Sequence, residues 1–312
     1  MLSRTAPDTL PAGSGARALA LPFDAGFVAR LERLVVLAKR LRQGSRVGDR
    51  KAPRLGSGLE FADHRAYAPG DDLRRLDWNL YGRLGRPMVR LCEQEQESSL
   101  LVLVDTSASM AVGQPRKGNL ALQIAAALVY VGLDHRDTVA LHGFAESLGN
   151  PLLGPAGRAR FAALLGKLAA LPFGGRTDLA ATVEGLAAAA PRPGICVLVS
   201  DLVEVGPVPL AVDRLLRHRL EVALVRITSP QDRDGSGLGQ GPTRLLDAET
   251  GLEVEVDLTP ALARRYADRF SQNEAALANH ARKRRVPFLT VDAGAPFDQV
   301  VRRLLRAEGL RL

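Results

Sequence analysis

Leu100-Leu101-Val102-Leu103-Val104-Asp105-Thr106-Ser107-Ala108-Ser109-Met110 is an apolar run that ends abruptly in a carboxylate, followed by two hydroxyls spaced two apart. Five consecutive aliphatic residues predict a strand buried on both faces, as in the middle of a parallel sheet. Such a strand delivers Asp105 to its carboxyl end. Open α/β sheets bind ligands in the crevice outside the carboxyl ends of their strands, so Asp105, Ser107 and Ser109 are placed to line one. Hard oxygen donors this close suit Mg²⁺, or another divalent cation such as Mn²⁺, rather than a metal that prefers thiolate. The same residues also make an ordinary turn and a cap for the next helix, and the stretch by itself leaves both readings open.

Two further stretches bear on that choice. Ile195-Cys196-Val197-Leu198-Val199-Ser200-Asp201 is a second apolar run ending in an acid, and a parallel sheet would bring Asp201 and Asp105 to one edge. Between them lies Pro172-Phe173-Gly174-Gly175-Arg176-Thr177-Asp178-Leu179. Its two glycines let the backbone approach a ligand, Thr177 can contribute a hydroxyl, and Asp178 caps a helix from Leu179 to Ala190. Read alone, this too is an ordinary helix start.

The pattern around these runs alternates. Helices are expected over 120–133, 158–171 (apolar at Phe161, Leu164, Leu165 and Leu168), 208–218, 260–285 and 297–305, and strands over 139–144, 220–227 and 286–291. His142 reads as a tolerated strand residue rather than a ligand. Thr243 to Asp257 reads as a hairpin turned at Ala248 to Gly251. The fold class is therefore α/β, a doubly wound, mostly parallel sheet over residues 100–312 interrupted by that hairpin. Ser229 to Pro242, with Gly235, Gly237, Gly239 and Gly241, reads as a flexible linker; no Gly-Lys-Ser or Gly-Lys-Thr follows, so it is not a phosphate loop.

Ahead of the sheet, residues 1–20 read as a mobile tail and 21–99 as an appendage. Phe27, Leu31, Leu34, Val35, Ala38 and Leu41 give one apolar helical face, with Gly44 as its end. Gly56 to Asn79 is turn-rich and charged: Asp71 or Asp72 caps a short helical segment, while Arg65, Asp72, Arg74, Asp77 and Asn79 form a polar network with Trp78 as packing anchor. His64 is its one acid–base candidate, and a weak one. Val89 to Glu93 alternates and is expected to be an edge strand leading into the central one.

Composition narrows the function classes. Aromatics are only 4% of a chain that is 46% hydrophobic, which leaves an aliphatic core and no platform for stacking bases. The formal charge of +8 would attract an acidic partner or an anionic surface. Cys92 and Cys196 are the only cysteines, too few for a disulfide framework or a cysteine zinc site, so a reducing cytoplasm is the expected home. Ala18 to Phe23 is too short for a secretory segment, and Leu120 to Leu133, interrupted by Gln123 and Tyr130, is too short for a membrane span. Peripheral contact with the inner membrane stays compatible with the charge.

A family resemblance rests on several motifs together: Gly58-Leu59-Glu60-Phe61, Arg65-Ala66-Tyr67, Pro69-Gly70-Asp71-Asp72, Asp77-Trp78-Asn79, Glu93 and Glu95, and Asp105 to Met110. The sequence resembles bacterial proteins of the domain of unknown function 58 (DUF58) family, whose core is similar to a von Willebrand factor A domain. The likeness runs from about Leu55 through the carboxyl-terminal half. It implies a metal-ion-dependent adhesion site made by Asp105, Ser107 and Ser109, with Thr177 as third hydroxyl and Asp201 as second acid. Many von Willebrand A domains carry Gly after the second acid, where this chain has Leu202, so the local turn is expected to differ. The resemblance also implies a MoxR-type AAA+ ATPase as partner, in assembly, maturation or envelope stress. Cation-dependent recognition of an acidic protein ligand, without turnover, is the expected function. Two alternatives from other classes are a metal-dependent hydrolase, for which no general base is evident beside the loop, and a basic nucleic-acid binder, which lacks aromatics and a reading motif.

Overall fold

The computed structural model describes residues 2–4, 23–24, 26–48, 55–93, 99–135, 137–152, 161–189, 191–235 and 239–307. The chain divides into two compact units, Met1–Arg42 with Ser98–Leu312, and Gln43–Glu97. In order, the elements begin with β1 (Leu2–Arg4), α1 (Phe27–Gly48), β2 (Leu55–Ala66), α2 (Trp78–Leu84) and β3 (Met88–Glu93). Next come β4 (Ser99–Asp105), α3 (Lys117–Asp134), β5 (Thr138–Phe144), β6 (Leu148–Pro151), α4 (Phe161–Ala169), α5 (Leu179–Ala188) and β7 (Gly194–Ser200). The last are α6 (Val208–Arg217), β8 (Leu220–Thr228), α7 (Pro230–Asp234), β9 (Gly241–Asp247), β10 (Glu253–Leu258), α8 (Pro260–Lys283), β11 (Phe288–Asp292) and α9 (Phe297–Leu305).

The large unit is built on a six-stranded sheet of order β11-β8-β7-β4-β5-β6. All its neighbours run parallel except the short β6, which pairs antiparallel with β5. This is the doubly wound, mostly parallel arrangement expected from the alternating apolar runs. Strand order reverses between β4 and β7, because the chain builds β5 and β6 on one side of β4 before returning to its other side. A crevice at that switch point lies outside the carboxyl ends of the two strands that carry Asp105 and Asp201.

Both faces of β4 are dry. Leu100, Val102 and Val104 join a core with α1, α3, α4 and α9, while Leu101 and Leu103 join a second core with α5, α6 and α8. Each fully buried aliphatic side chain contributes about 1.5–3 kcal/mol of transfer free energy, so packing on both faces anchors the strand. Helix α3 is buried on almost every side, as its Ala-rich sequence allows: Ala121, Ala125, Ala126 and Ala127 are all fully buried. Gly118, in its first turn, is required for close approach, since a Cβ there would meet the Phe173 ring at 2.6 Å.

Several expectations need correction. Helix α1 runs on to Gly48 rather than ending at Gly44, and its apolar face at Phe27, Leu31, Leu34, Val35 and Ala38 belongs to the core of the large unit, where Phe27 meets Phe297 at 4.7 Å between ring centroids. Of the expected tail, Leu2–Arg4 is a strand antiparallel to β9; residues 5–20 lie outside the described residues. The supposed linker after Ser229 begins instead with α7. A capping box opens it, the Ser229 side chain accepting from the Asp232 amide while the Asp232 carboxylate accepts from the Ser229 amide, a local signal that the glycines further on obscured. The hairpin is present as β9 and β10.

In the small unit β3 pairs antiparallel with β2 in a two-stranded sheet; residues 94–98, where the turn into β4 is expected, lie outside the described residues. Asp77 caps α2, accepting from the amides of Asn79 and Leu80 at 3.0 Å each. Its other oxygen accepts from Arg90 Nε at 2.8 Å and faces His64 Nε2 at 2.9 Å. Arg65 pairs with Asp71 at 2.7 Å, and Asp72 accepts from the Arg74 amide. The cation of the network is thus Arg90, and His64 is spent on Asp77. Trp78 is not the packing anchor: it is 68% exposed, and its ring meets that of Tyr81 edge-on. It is the first residue of a seven-residue helix, next to the Asp77 cap. Glu95 lies outside the described residues.

Candidate functional site

Asp105 ends β4 fully buried. One carboxylate oxygen accepts from the Ser107 amide at 2.9 Å and the other from Ser200 Oγ at 2.6 Å. The Ser107 and Ser109 hydroxyls lie 3.0 Å apart, both buried. The Asp105 loop is tied to the Gly-Gly loop by a reciprocal backbone pair: the Ala108 amide donates to Gly175 O at 3.0 Å and the Gly174 amide to Thr106 O at 2.9 Å. Gly175 permits this with φ +75°, and a Cβ there would press on the Glu146 carboxylate. The staple brings Thr177 to the site, with its Oγ1 3.3 Å from Asp105 Oδ2. Asp178, next along, caps α5 through the Ala181 amide, as expected.

Asp201 follows β7 and is also buried. Its Oδ2 accepts from Lys117 Nζ at 2.5 Å, and the same ammonium lies 3.4 Å from Asp232. Lys117 is fully buried. Arg226, stacked over the Phe270 ring, donates from Nε to the Asp201 carbonyl at 3.1 Å and fixes the backbone there. Leu202 takes φ +46°, a left-handed conformation that costs a non-glycine residue, and it is held there by burial and by its amide donating to Ser200 Oγ.

The site also receives Glu249 from the β9–β10 turn. Its carboxylate accepts from the Thr177 amide at 3.2 Å through one oxygen and lies 3.2 Å from Thr177 Oγ1 through the other. All five residues expected at the site therefore meet at one edge: Asp105 contacts the Ser107 amide and Thr177 Oγ1, Ser107 contacts Ser109, and Asp201 shares a cavity of about 170 Å³ with Ser109, Thr177 and Glu249. Three residues that sequence reasoning missed also matter. Ser200 directly precedes Asp201, and Lys117 is a lone cation on the face of α3 that carries buried Ala121 and Ile124; both signals were available. Glu249 sits in an ordinary turn, 72 residues beyond Thr177, with nothing local to mark it.

The electrostatics are unbalanced on one side. Burial first, and then repulsion from Asp201, raise the Asp105 carboxyl to about 7, against the lowering effect of its hydrogen bonds from Ser200 and Ser107. Asp201 has its ammonium; Asp105 has only neutral donors. Moreover, Thr177 carries a single hydroxyl proton but faces the carboxylates of both Asp105 and Glu249, so one of those oxygen pairs meets with no proton from this group between them. Among the described residues no group of three or more His, Cys, Asp or Glu is assembled as a metal cage. The donors are mixed, hydroxyls with carboxylates, and that hard-oxygen set fits a Mg²⁺-class ion that keeps several waters.

The chain is 29% identical over 277 residues to an uncharacterized protein of Mycobacterium tuberculosis, covering 86% of this chain and 85% of the relative, and equally so to an uncharacterized protein of Mycobacterium bovis. Among solved structures it is similar to the conserved hypothetical protein BatB from Bacteroides thetaiotaomicron, with TM-score 0.40 and 13% identity over 66% of this chain and 96% of that one. Residues 63–276, which span the Asp77 network, the loops that carry Asp105, Thr177 and Asp201, and most of α8, match the family described as protein of unknown function DUF58, and the chain belongs to that family.

Proposed function

We propose that the chain is a non-catalytic protein-interaction module whose carboxyl-edge pocket takes a Mg²⁺- or Mn²⁺-class cation and docks an acidic side chain of a partner, a MoxR-type AAA+ ATPase first among them. The hydroxyls of Ser107, Ser109 and Thr177 would hold the ion, with Asp105 and Asp201 reaching it through water or anchoring the hydroxyls. Bound there, the ion supplies positive charge to a carboxylate arriving from outside. The observation that carries this reading is the Thr177 hydroxyl, brought from a separate loop to face two carboxylates with one proton to offer. The formal charge of +8 supports steering toward an acidic partner, or toward the anionic inner face of a membrane in the cytoplasm. No helix among the described residues is long and apolar enough to cross a membrane.

The test is affinity for the MoxR-type ATPase of the same organism, measured with Mg²⁺, with chelator, and with Ser107→Ala and Thr177→Ala chains. Each of the three changes is expected to weaken the complex about tenfold or more, in line with losses seen when metal-site groups are removed. Unchanged affinity in all three, with the variants folded, moves the interface to another surface.

A further inference from the structure

We infer that Glu249 is an acidic ligand supplied in cis: the β9–β10 hairpin seats its own carboxylate where the partner's acid docks, and the partner must displace it. This rests on the cation-dependent docking proposed above. Four features of the chain support it.

First, the contact is two-pronged, one Glu249 oxygen on the Thr177 amide and the other on the Thr177 hydroxyl, at 3.2 Å each. Second, the turn aims the side chain. Asp247 Oδ1 accepts from the amides of Glu249 at 2.8 Å and Thr250 at 3.1 Å, and the Gly251 amide donates to Asp247 O at 2.9 Å with Gly251 at φ +71°. Third, Asp247, Glu249 and Thr250 of the turn line the same cavity as Ser109, Thr177 and Asp201, so the turn occupies part of the pocket that an incoming carboxylate would use. Fourth, the hairpin is weakly anchored near this turn. Leu252 and Val254 are 66% and 50% exposed, β10 is an edge strand, and β9 contributes only Thr243 and Leu245 to the buried set. Lifting the turn thus breaks hydrogen bonds and little apolar packing, which is what a displaceable cover requires.

The chemistry favours a cation between hairpin and loop. A cation bound in this cavity would give Glu249 a counter-charge that Lys117, engaged with Asp201 and Asp232, does not supply. Arg176 contributes some attraction toward Glu249 but donates to Glu204 at 2.6 Å. Glu249 would then act as a hard oxygen donor when no partner is present, raising affinity for the ion while shielding it.

The experiment titrates the full chain with Mg²⁺ alone by calorimetry, for wild type, Glu249→Gln and Asp105→Asn, and follows amide exchange of residues 248–251 with and without the ion. Wild type should bind; Asp105→Asn should not; Glu249→Gln should bind about ten- to hundredfold more weakly, since one charged donor is lost. Exchange at Glu249 and Thr250 should slow on adding Mg²⁺ to the wild type and not in Glu249→Gln. A carboxylate probe, a short peptide ending in Glu, should bind Mg²⁺-loaded Glu249→Gln and be excluded from the loaded wild type. Equal Mg²⁺ affinity, equal exchange and equal probe access in wild type and Glu249→Gln overturn the role of Glu249 while leaving the cation site standing. Absence of Mg²⁺ binding in the wild type overturns the cation site, and the in-cis ligand with it.

Discussion

Asp77 and Asp105 are both buried carboxylates, one in each unit of the chain, and they have opposite fates. Asp77 is saturated: the Arg90 guanidinium, then His64 and the Leu80 amide, hold its carboxyl well below the usual range. Asp105 is buried at least as deeply, but its donors are neutral and Asp201 repels it, so its carboxyl is pushed up to about 7. A carboxylate surrounded by cations and cap amides is finished structure, with nothing left to offer a ligand. One surrounded by hydroxyls and another acid has no cation paired with it and is driven toward its neutral form instead.

The comparison breaks first, and hardest, at Lys117. Replacing it with Ala removes the ammonium that neutralises Asp201 and Asp232 and so gives Asp201 the same deficit as Asp105. Urea unfolding should lose about 3–5 kcal/mol, as expected when one partner of a buried ion pair is deleted. Excess Mg²⁺ should recover part of that loss. A loss below about 1 kcal/mol would mean that the buried ammonium neutralises nothing the fold depends on.

The second prediction concerns pH. In the folded state Asp105 keeps its proton up to about 7, whereas the ordinary carboxyl releases it at 3.8, so between those values the folded chain binds more protons. Stability in chelator should therefore fall as pH rises across that window and stay low above it. Asp105→Asn should remove the slope, and Mg²⁺ should flatten it in the wild type; thermal melts at several pH values measure both. Asp77 has the opposite sign and the smaller effect. Its lowered carboxyl contributes stability that is complete above pH 3.8 and lost as pH falls through the lower folded value, and Asp77→Asn should abolish that acid-side loss without altering any response to Mg²⁺.

Much of this was legible in the chain. The apolar runs at 100–104 and 195–199 fixed the central strands because a strand buried on both faces needs uninterrupted aliphatics, and the acids that end them had to share an edge once the sheet was parallel. Thr177 was found through the family likeness, and the backbone staple that carries it could not be read from side chains. Glu249 escaped because tertiary placement of a hairpin has no local signature. Trp78 misled because a lone Trp among charges reads as an anchor, whereas on its short helix it is largely exposed. The apparent linker misled for a related reason: glycines at 235–241 outweighed the capping box just before them.

The strand order has a consequence for the chain as it leaves the ribosome. β4 meets β5 after a single helix, but its other neighbour, β7, is synthesised only after β5, β6, α4 and α5. Until then one edge of β4 is open, Asp105 lacks Ser200, and neither Asp201 nor the Lys117 ion pair exists. The long-range closure comes late because its loop entropy is met only when β7 docks. A nascent chain halted before Gly194 can hold half a sheet yet not the pocket lined by Ser109, Thr177 and Asp201; under the proposed function, a response to Mg²⁺ would report that synthesis has passed the midpoint of the sheet, with the hairpin and its Glu249 arriving later still.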